Sequence, residues 1–302
     1  MKVLIGSYKE NIYEVKIDNN TDKFTSSEIV INTVKPSYLM DYNKLSYLYS
    51  KDNVQYIKIG ESDLLLEHPA AHISYDSKND VIYTSFYHDG LLKVLGKTNN
   101  EWKIRETITY ENHSHIHYAQ YIDDIGLIGV CDLGDDKLFL YENKDNKLNL
   151  VTTYEFEKGV GPRHFTANGN LIYVINELKP SVTTLKYEDG KLLLVDTIEL
   201  TDGAGSAIRI TEDKKYLYAA VRFSNYVFAF EIKENGLLNL IQKVHTKGDH
   251  PRDFNLIFND KYLLVANMNS NNLTLFKLNN GRLYLTDHNY SFNAGASIIC
   301  IK

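Results

Sequence analysis

The sequence predicts an all-β fold, a seven-bladed β-propeller, from three observations: a repeat of roughly 45 residues, several short strands inside each repeat, and chain ends that complement one another. Anchored at Pro36, Pro69, Ile116, Pro162, Ser206, Pro251 and Ala296, seven segments fall into one register with spacings of 33, 47, 46, 44, 45 and 45. Each anchor opens an apolar strand. A second strand follows, such as YLYS, VIYTSF, LIYVIN, YLYAAV or YLLVAN, and then a third, such as VQYIKI, LFLYE, VTTLKY, YVFAFEI or LTLFKL. Blades are expected at 36–66, 69–110, 116–155, 162–200, 206–244 and 251–288. The first is about ten residues short, which predicts an abbreviated outer strand.

The last unit holds one strand, GASIICIK, whereas KVLIGSY and NIYEVKID at the start have no anchor of their own. These N-terminal strands are expected to pair with the C-terminal strand in a mixed seventh blade, because an open ring leaves unpaired strand edges. The repeat runs from end to end with no linker, so residues 1–302 read as one domain.

Composition agrees with many half-buried strands: 23 Tyr and 12 Phe against only 5 Pro. A net charge of −6, with acids and bases interspersed and no basic run, argues against a nucleic-acid or anionic-membrane surface. The opening MKVLIGSYKENIYEVKID is apolar too briefly for a signal peptide or a membrane span, and a cytoplasmic location is expected. Cys131 and Cys300 lie in apolar strand patterns and read as reduced, buried thiols. There is no CxxC, HExxH or phosphate-binding glycine loop, and no cofactor is implied. Asn, Asp and Gly clusters such as DSKND, YEDGK and LNNG mark turns, and EDGK and DLGDDK lack the spacing of a calcium loop.

In a propeller the first strand of each blade lines the central channel, so one position per blade converges on one axis. The residue after each anchor is Ser37, Ala70, His117, Arg163, Ala207, Arg252 and Ser297. Only six of 33 basic residues are arginine, and two of the six stand in this register. That choice suits an anion needing a planar, permanently charged fork: a carboxylate, a phosphate or a developing oxyanion. His113, His115 and His117 alternate in HSHIHY, and strand geometry would aim all three imidazoles one way. A zinc site would need a fourth ligand that this stretch does not supply. Glu177 ends the second strand of the blade that carries Arg163, placing it to pair with that arginine or to act as a base. Arg222 ends the corresponding strand one blade on and is expected on the same rim. His72, His88 and His164 read as hydrogen-bonded structural histidines, with Arg222, His115 and His164 as further candidates to touch substrate.

The segments GVGPRHFTANGNLIYVINEL, GSAIRITEDKKYLYAAVR and GDHPRDFNLIFNDKYLLVAN resemble successive blades of the seven-bladed lactonase family, which includes propeller-type bacterial 6-phosphogluconolactonase and is related to a fungal muconate-lactonizing enzyme. PSYLMDYNKLSYLYS, SFYHDGLLKV and HIHYAQY fit as well, so the resemblance spans nearly the whole chain, with GPRH, NEL and HPRDF its more specific elements. The resemblance implies a cluster of one histidine, two arginines and one glutamate at the channel mouth. Those fall on His117, Arg163, Arg252 and Glu177. Family blades often carry an acid where this chain has Ala207, which bears on substrate preference.

The expected activity is hydrolysis of a sugar lactone, foremost 6-phospho-D-glucono-1,5-lactone to 6-phosphogluconate in the pentose phosphate pathway. His117 or Glu177 would serve as base, one arginine would stabilise the oxyanion and the other would hold the phosphate. No GxSxG element is present. Two alternatives stand beside this: a non-enzymatic propeller that binds a protein partner, and a lactone-forming enzyme of the muconate type.

Overall fold

The computed structural model describes every residue except Lys44, Asn112, Asn293, Ala294, Ile301 and Lys302, and every described side chain except those of Asn289 and residues 295–300. The chain is a seven-bladed β-propeller of four-stranded antiparallel blades. Blade 3 shows the plan: Ile116–Ile122 innermost, then Leu127–Asp132, Lys137–Lys144 and Lys147–Glu155 outermost. Inner strands of successive blades pack side by side, and that of blade 7 packs on that of blade 1, so the ring closes.

Closure uses both chain ends. Lys2–Ser7 pairs antiparallel with Gly295–Cys300, with Leu4 opposite Ile299. Blade 7 holds three N-terminal strands where the sequence suggested two, because Lys23–Val34 adds an outer strand beside Glu10–Asp18. A single pairing, Val34 with Ser50, links that strand to blade 1. Blade 1 is abbreviated at both edges: its inner strand is Leu39–Met40 and its outer strand Ser62–Leu65.

Among the described residues, seven apolar clusters fill the spaces within and between the blades. Several tyrosines belong to these clusters. Tyr83, Tyr173 and Tyr218 occupy the third position of the second strand in blades 2, 4 and 5, and all are fully buried. The Tyr173 hydroxyl donates to the Gly236 carbonyl at 3.1 Å, and that of Tyr218 to the Gly281 carbonyl at 3.0 Å. Each bond reaches into an outer turn of the next blade, so one side chain contributes apolar area and an inter-blade tie.

Gly205 shows how tightly neighbouring blades meet beside the channel. A Cβ there would lie 2.1 Å from the Asn176 carbonyl oxygen, and the Gly205 amide donates to the Glu177 carbonyl at 3.1 Å. Gly205→Ala is expected to force blades 4 and 5 apart at a cost of about 1–3 kcal/mol, the usual penalty for overpacking. A urea midpoint equal to that of wild type would contradict this close approach.

Candidate active site

Four of the inner strands share a defect at the same place. In blade 3, Ile116 pairs with Asp132 and Tyr118 with Cys131, leaving His117 as the extra residue of a β-bulge. Blade 4 skips Arg163 between Pro162 and His164, and blade 6 skips Arg252 between Pro251 and Asp253. In blade 5 the shift spans Ser206 and Ala207. A bulge bends its strand and re-aims a side chain, so the position after the anchor turns toward the channel mouth in each of these blades.

A second set of side chains reaches the same end. The turn after each second strand returns to the face where the first strand begins, because the two run antiparallel. Glu177 follows the last paired residue of its strand, Asn176, and Tyr87 follows Phe86 in the same way, while Arg222 is the last residue of its strand, opposite Ala204. Tyr8 follows Ser7 in blade 7. Neither tyrosine was among the sequence candidates, although GSY and SFY precede turns at the position of INE.

The approach to Arg163 is fixed locally. The buried Asp136 carboxylate accepts from the Gly159 and Gly161 amides, each at 2.7 Å, which holds the GVG segment ahead of Pro162. Ser206 then ties three blades together. Its carbonyl accepts from Arg163 Nη1, and its hydroxyl donates to the Pro251 carbonyl at 2.8 Å, next to Arg252.

Glu177 lies between two guanidinium groups. Arg163 Nε is 2.8 Å from Oε2, an ion pair rather than an aligned hydrogen bond, and Arg222 Nη2 is 2.8 Å from Oε1. Burial works against the carboxylate, but Arg163, Arg222 and Arg252 outweigh it and hold the Glu177 pKa below the usual range. Burial, then Arg252, pulls the Arg163 pKa down while Glu177 opposes them; the side chain is only 3% exposed. Arg252 differs. Its Nε donates to the Tyr8 hydroxyl at 2.9 Å, its guanidinium lies 5.6 Å from that ring's centre, and it has no carboxylate within ion-pair distance among the described residues. Burial disfavours its charge, yet Tyr8 and Glu177 more than offset this and raise its pKa.

His117 is 5% exposed, and its Nδ1 has no hydrogen-bond partner among the described residues. Burial, with Arg163 and Arg252 next, drives its pKa well below 6.5, so the imidazole is neutral at physiological pH. His117, Glu177, Arg252, Tyr8 and Tyr87 face a cavity of about 300 Å³ whose other side is lined by the small Ser37, Ala70 and Ala71. Arg163, Arg222, His115 and His164 stand behind this wall rather than in it.

The alternating histidines do not form a row. His115 precedes its strand, stacks on Tyr87 at 4.4 Å and 11°, and places Nδ1 2.8 Å from the Tyr87 carbonyl, while His113 is exposed. The expectation of three parallel imidazoles fails because the strand begins only at Ile116 and bulges at His117. His164 Nε2 sits 3.2 Å from Arg163 Nη1, and since a guanidinium only donates, this nitrogen is the acceptor. His72 is buried against Tyr118 and Tyr38. His88, expected to be structural, is exposed at the rim of the cavity. The side chain of Ser297 lies outside the described residues.

A family model described as lactonase, seven-bladed β-propeller, matches residues 2–302. The chain belongs to that lactonase family. A Bacillus subtilis protein named 6-phosphogluconolactonase is 27% identical over 324 residues, covering 93% of each chain. An uncharacterised Lactococcus lactis protein is 29% identical over 312 residues, with 91% of each covered. Among solved structures, a Lactobacillus plantarum protein superposes with a TM-score of 0.89 at 27% identity, covering 99% of both chains. The Pseudomonas aeruginosa periplasmic gluconolactonase gives 0.85 at 20% identity, covering 99% of this chain and 98% of its own, a likeness of fold.

Proposed function

We propose that this lactonase-family protein hydrolyses 6-phospho-D-glucono-1,5-lactone to 6-phosphogluconate, a step of the pentose phosphate pathway, in the cytoplasm. The observation that carries the reading is that His117 faces the same cavity as Arg252, a guanidinium with no carboxylate within ion-pair distance among the described residues. The name of the Bacillus subtilis relative supports the choice of substrate.

His117 takes a proton from water as the oxygen attacks the lactone carbonyl carbon. Arg252, steadied through Nε by Tyr8, faces the oxyanion with its remaining N–H groups. Collapse of the tetrahedral intermediate breaks the bond to the ring oxygen, and the imidazolium returns its proton there, giving the hydroxy acid. Glu177 is a poor base because two arginines stabilise its charged form. Its part is to pair with Arg163 and Arg222 and hold them in place.

Purified protein should accelerate lactone opening at neutral pH with no added metal. Arg252→Ala should lower kcat/KM by about 10²–10³, the usual effect of removing an oxyanion donor. A wild-type rate equal to that of buffer removes the proposal. Activity confined to ring closure of linear unsaturated acids would instead select the muconate-type alternative.

A further inference from the structure

A second cavity, of about 660 Å³, adjoins the first and shares Tyr8, Ser37, Pro69 and Ala70 with it. Blade 1 makes this room. Its second and third strands are joined by two residues only, Asp52 and Asn53, with φ of 52° and 63°, and Lys51 pairs directly with Val54. Two consecutive positive φ values mark a type I′ hairpin. The corresponding turn of blade 4 runs from Glu177 to Pro180 and carries Glu177 to the cavity. Where blade 1 cuts that turn short, the rim is low and the active-site cavity opens sideways.

Lys35 and Lys51 line this side compartment, and both are exposed. Neither has a carboxylate within ion-pair distance among the described residues, although Asp52 lines the same space. Their backbones are fixed. The Lys35 amide donates to the Lys9 carbonyl at 2.8 Å and its carbonyl accepts from the Ser37 amide at 2.7 Å, while Lys51 is held by the hairpin.

A phosphosugar lactone presents two anionic demands at opposite ends, the developing oxyanion at the carbonyl and the phosphate on the distal carbon. Of the three arginines at the channel mouth, two are held by Glu177, which leaves Arg252 for one end. From this geometry we infer that the blade 1 compartment is the subsite for the distal phosphate monoester, held by Lys35 and Lys51, while Arg252 serves the carbonyl. The inference rests on the lactonase reading of the adjoining cavity. Lysine suits it, since a rotatable ammonium binds phosphate as a point charge without requiring a fixed fork.

The test compares wild type with Lys35→Gln, Lys51→Gln and the double variant on 6-phosphoglucono-1,5-lactone and on unphosphorylated glucono-1,5-lactone. Calorimetric titration with 6-phosphogluconate and with gluconate accompanies the kinetics. Each single substitution should raise KM for the phosphorylated lactone about fivefold, and the double about twentyfold, within the range of partly exposed charge-assisted contacts. The rate on the unphosphorylated lactone and the melting temperature should stay essentially unchanged. Added salt should narrow the preference for phosphate in wild type and not in the double variant. A double variant that keeps the wild-type preference, or a wild type with none, overturns the subsite. If wild type opens neither lactone, the catalytic reading fails by itself; lysine-dependent binding of 6-phosphogluconate over gluconate would then still uphold the subsite, and equal binding would overturn it.

Discussion

His117→Asn is expected to lower kcat for lactone hydrolysis by about 10²–10⁴, the range of a positioned general base, with little change in KM. The pH dependence gives a sharper test. Burial and then the positive charges of Arg163 and Arg252 disfavour the imidazolium, so His117 stays in its basic form well below pH 6.5. Wild-type kcat/KM should therefore be flat from neutrality down through 6.5, falling only at more acidic pH as His117 takes up its proton. Arg252→Gln removes one of the opposing charges and should move that acid limb upward, on top of its loss of rate. An acid limb at or above 6.5 in wild type, or an asparagine variant of full activity, would contradict the assignment of His117 as base.

Glu177→Gln is expected to be the most destabilising single change at the channel mouth. It leaves Arg163, 2% exposed, and Arg222, 6% exposed, without the carboxylate that now lies 2.8 Å from each. Removing one partner of a buried ion pair typically costs about 3–5 kcal/mol. For a chain of this size that is a fall in Tm on the order of 10 °C. The effect has a definite sign with pH. The Glu177 pKa is depressed in the folded state, so its contribution is fully present above the unfolded value near 4.5 and disappears as pH falls through the lower folded value. The stability gap between wild type and Glu177→Gln should close over that acidic window, because a protonated glutamic acid resembles the amide. A glutamine variant as stable as wild type at pH 7 would show that something other than Glu177 sustains the two buried arginines.

A propeller that binds a protein partner would show aromatic side chains on a rim, but part of the tyrosine content lies inside. Tyr83, Tyr173, Tyr218 and Tyr262 are fully buried, and the last three each bond into the next blade. At the channel mouth Arg163, Arg222, Arg252 and Glu177 converge, an arrangement that partner binding on the rim does not call for. Cys131 is a free, buried thiol whose pKa burial pushes up, and the side chain of Cys300 lies outside the described residues.

Much of the architecture was legible before any coordinates. The spacing of the anchors locates the blades, and the shortness of the first repeat announces the truncated blade that becomes the side compartment. What the repeat conceals is the third N-terminal strand, because Lys23–Val34 alternates weakly and most of its residues are exposed. An edge strand with little to bury leaves little hydrophobic pattern to read.

The repeat alone puts His117, Arg163 and Arg252 in one register and Glu177 and Arg222 at the ends of equivalent strands, since a repeated fold maps equal positions to equal places. It could not assign their roles. Packing sets Arg163 and Arg222 against the same carboxylate and Arg252 against Tyr8, and it surrounds His117 with Arg163, Arg252 and the ring of His164 rather than with His113 and His115. It also decided that the cavity opens over blade 1. The physical reason is that charge and aim depend on distances between blades and on the bulge in each inner strand. A one-dimensional register specifies which residues meet at the axis, and only packing specifies which of them neutralise one another.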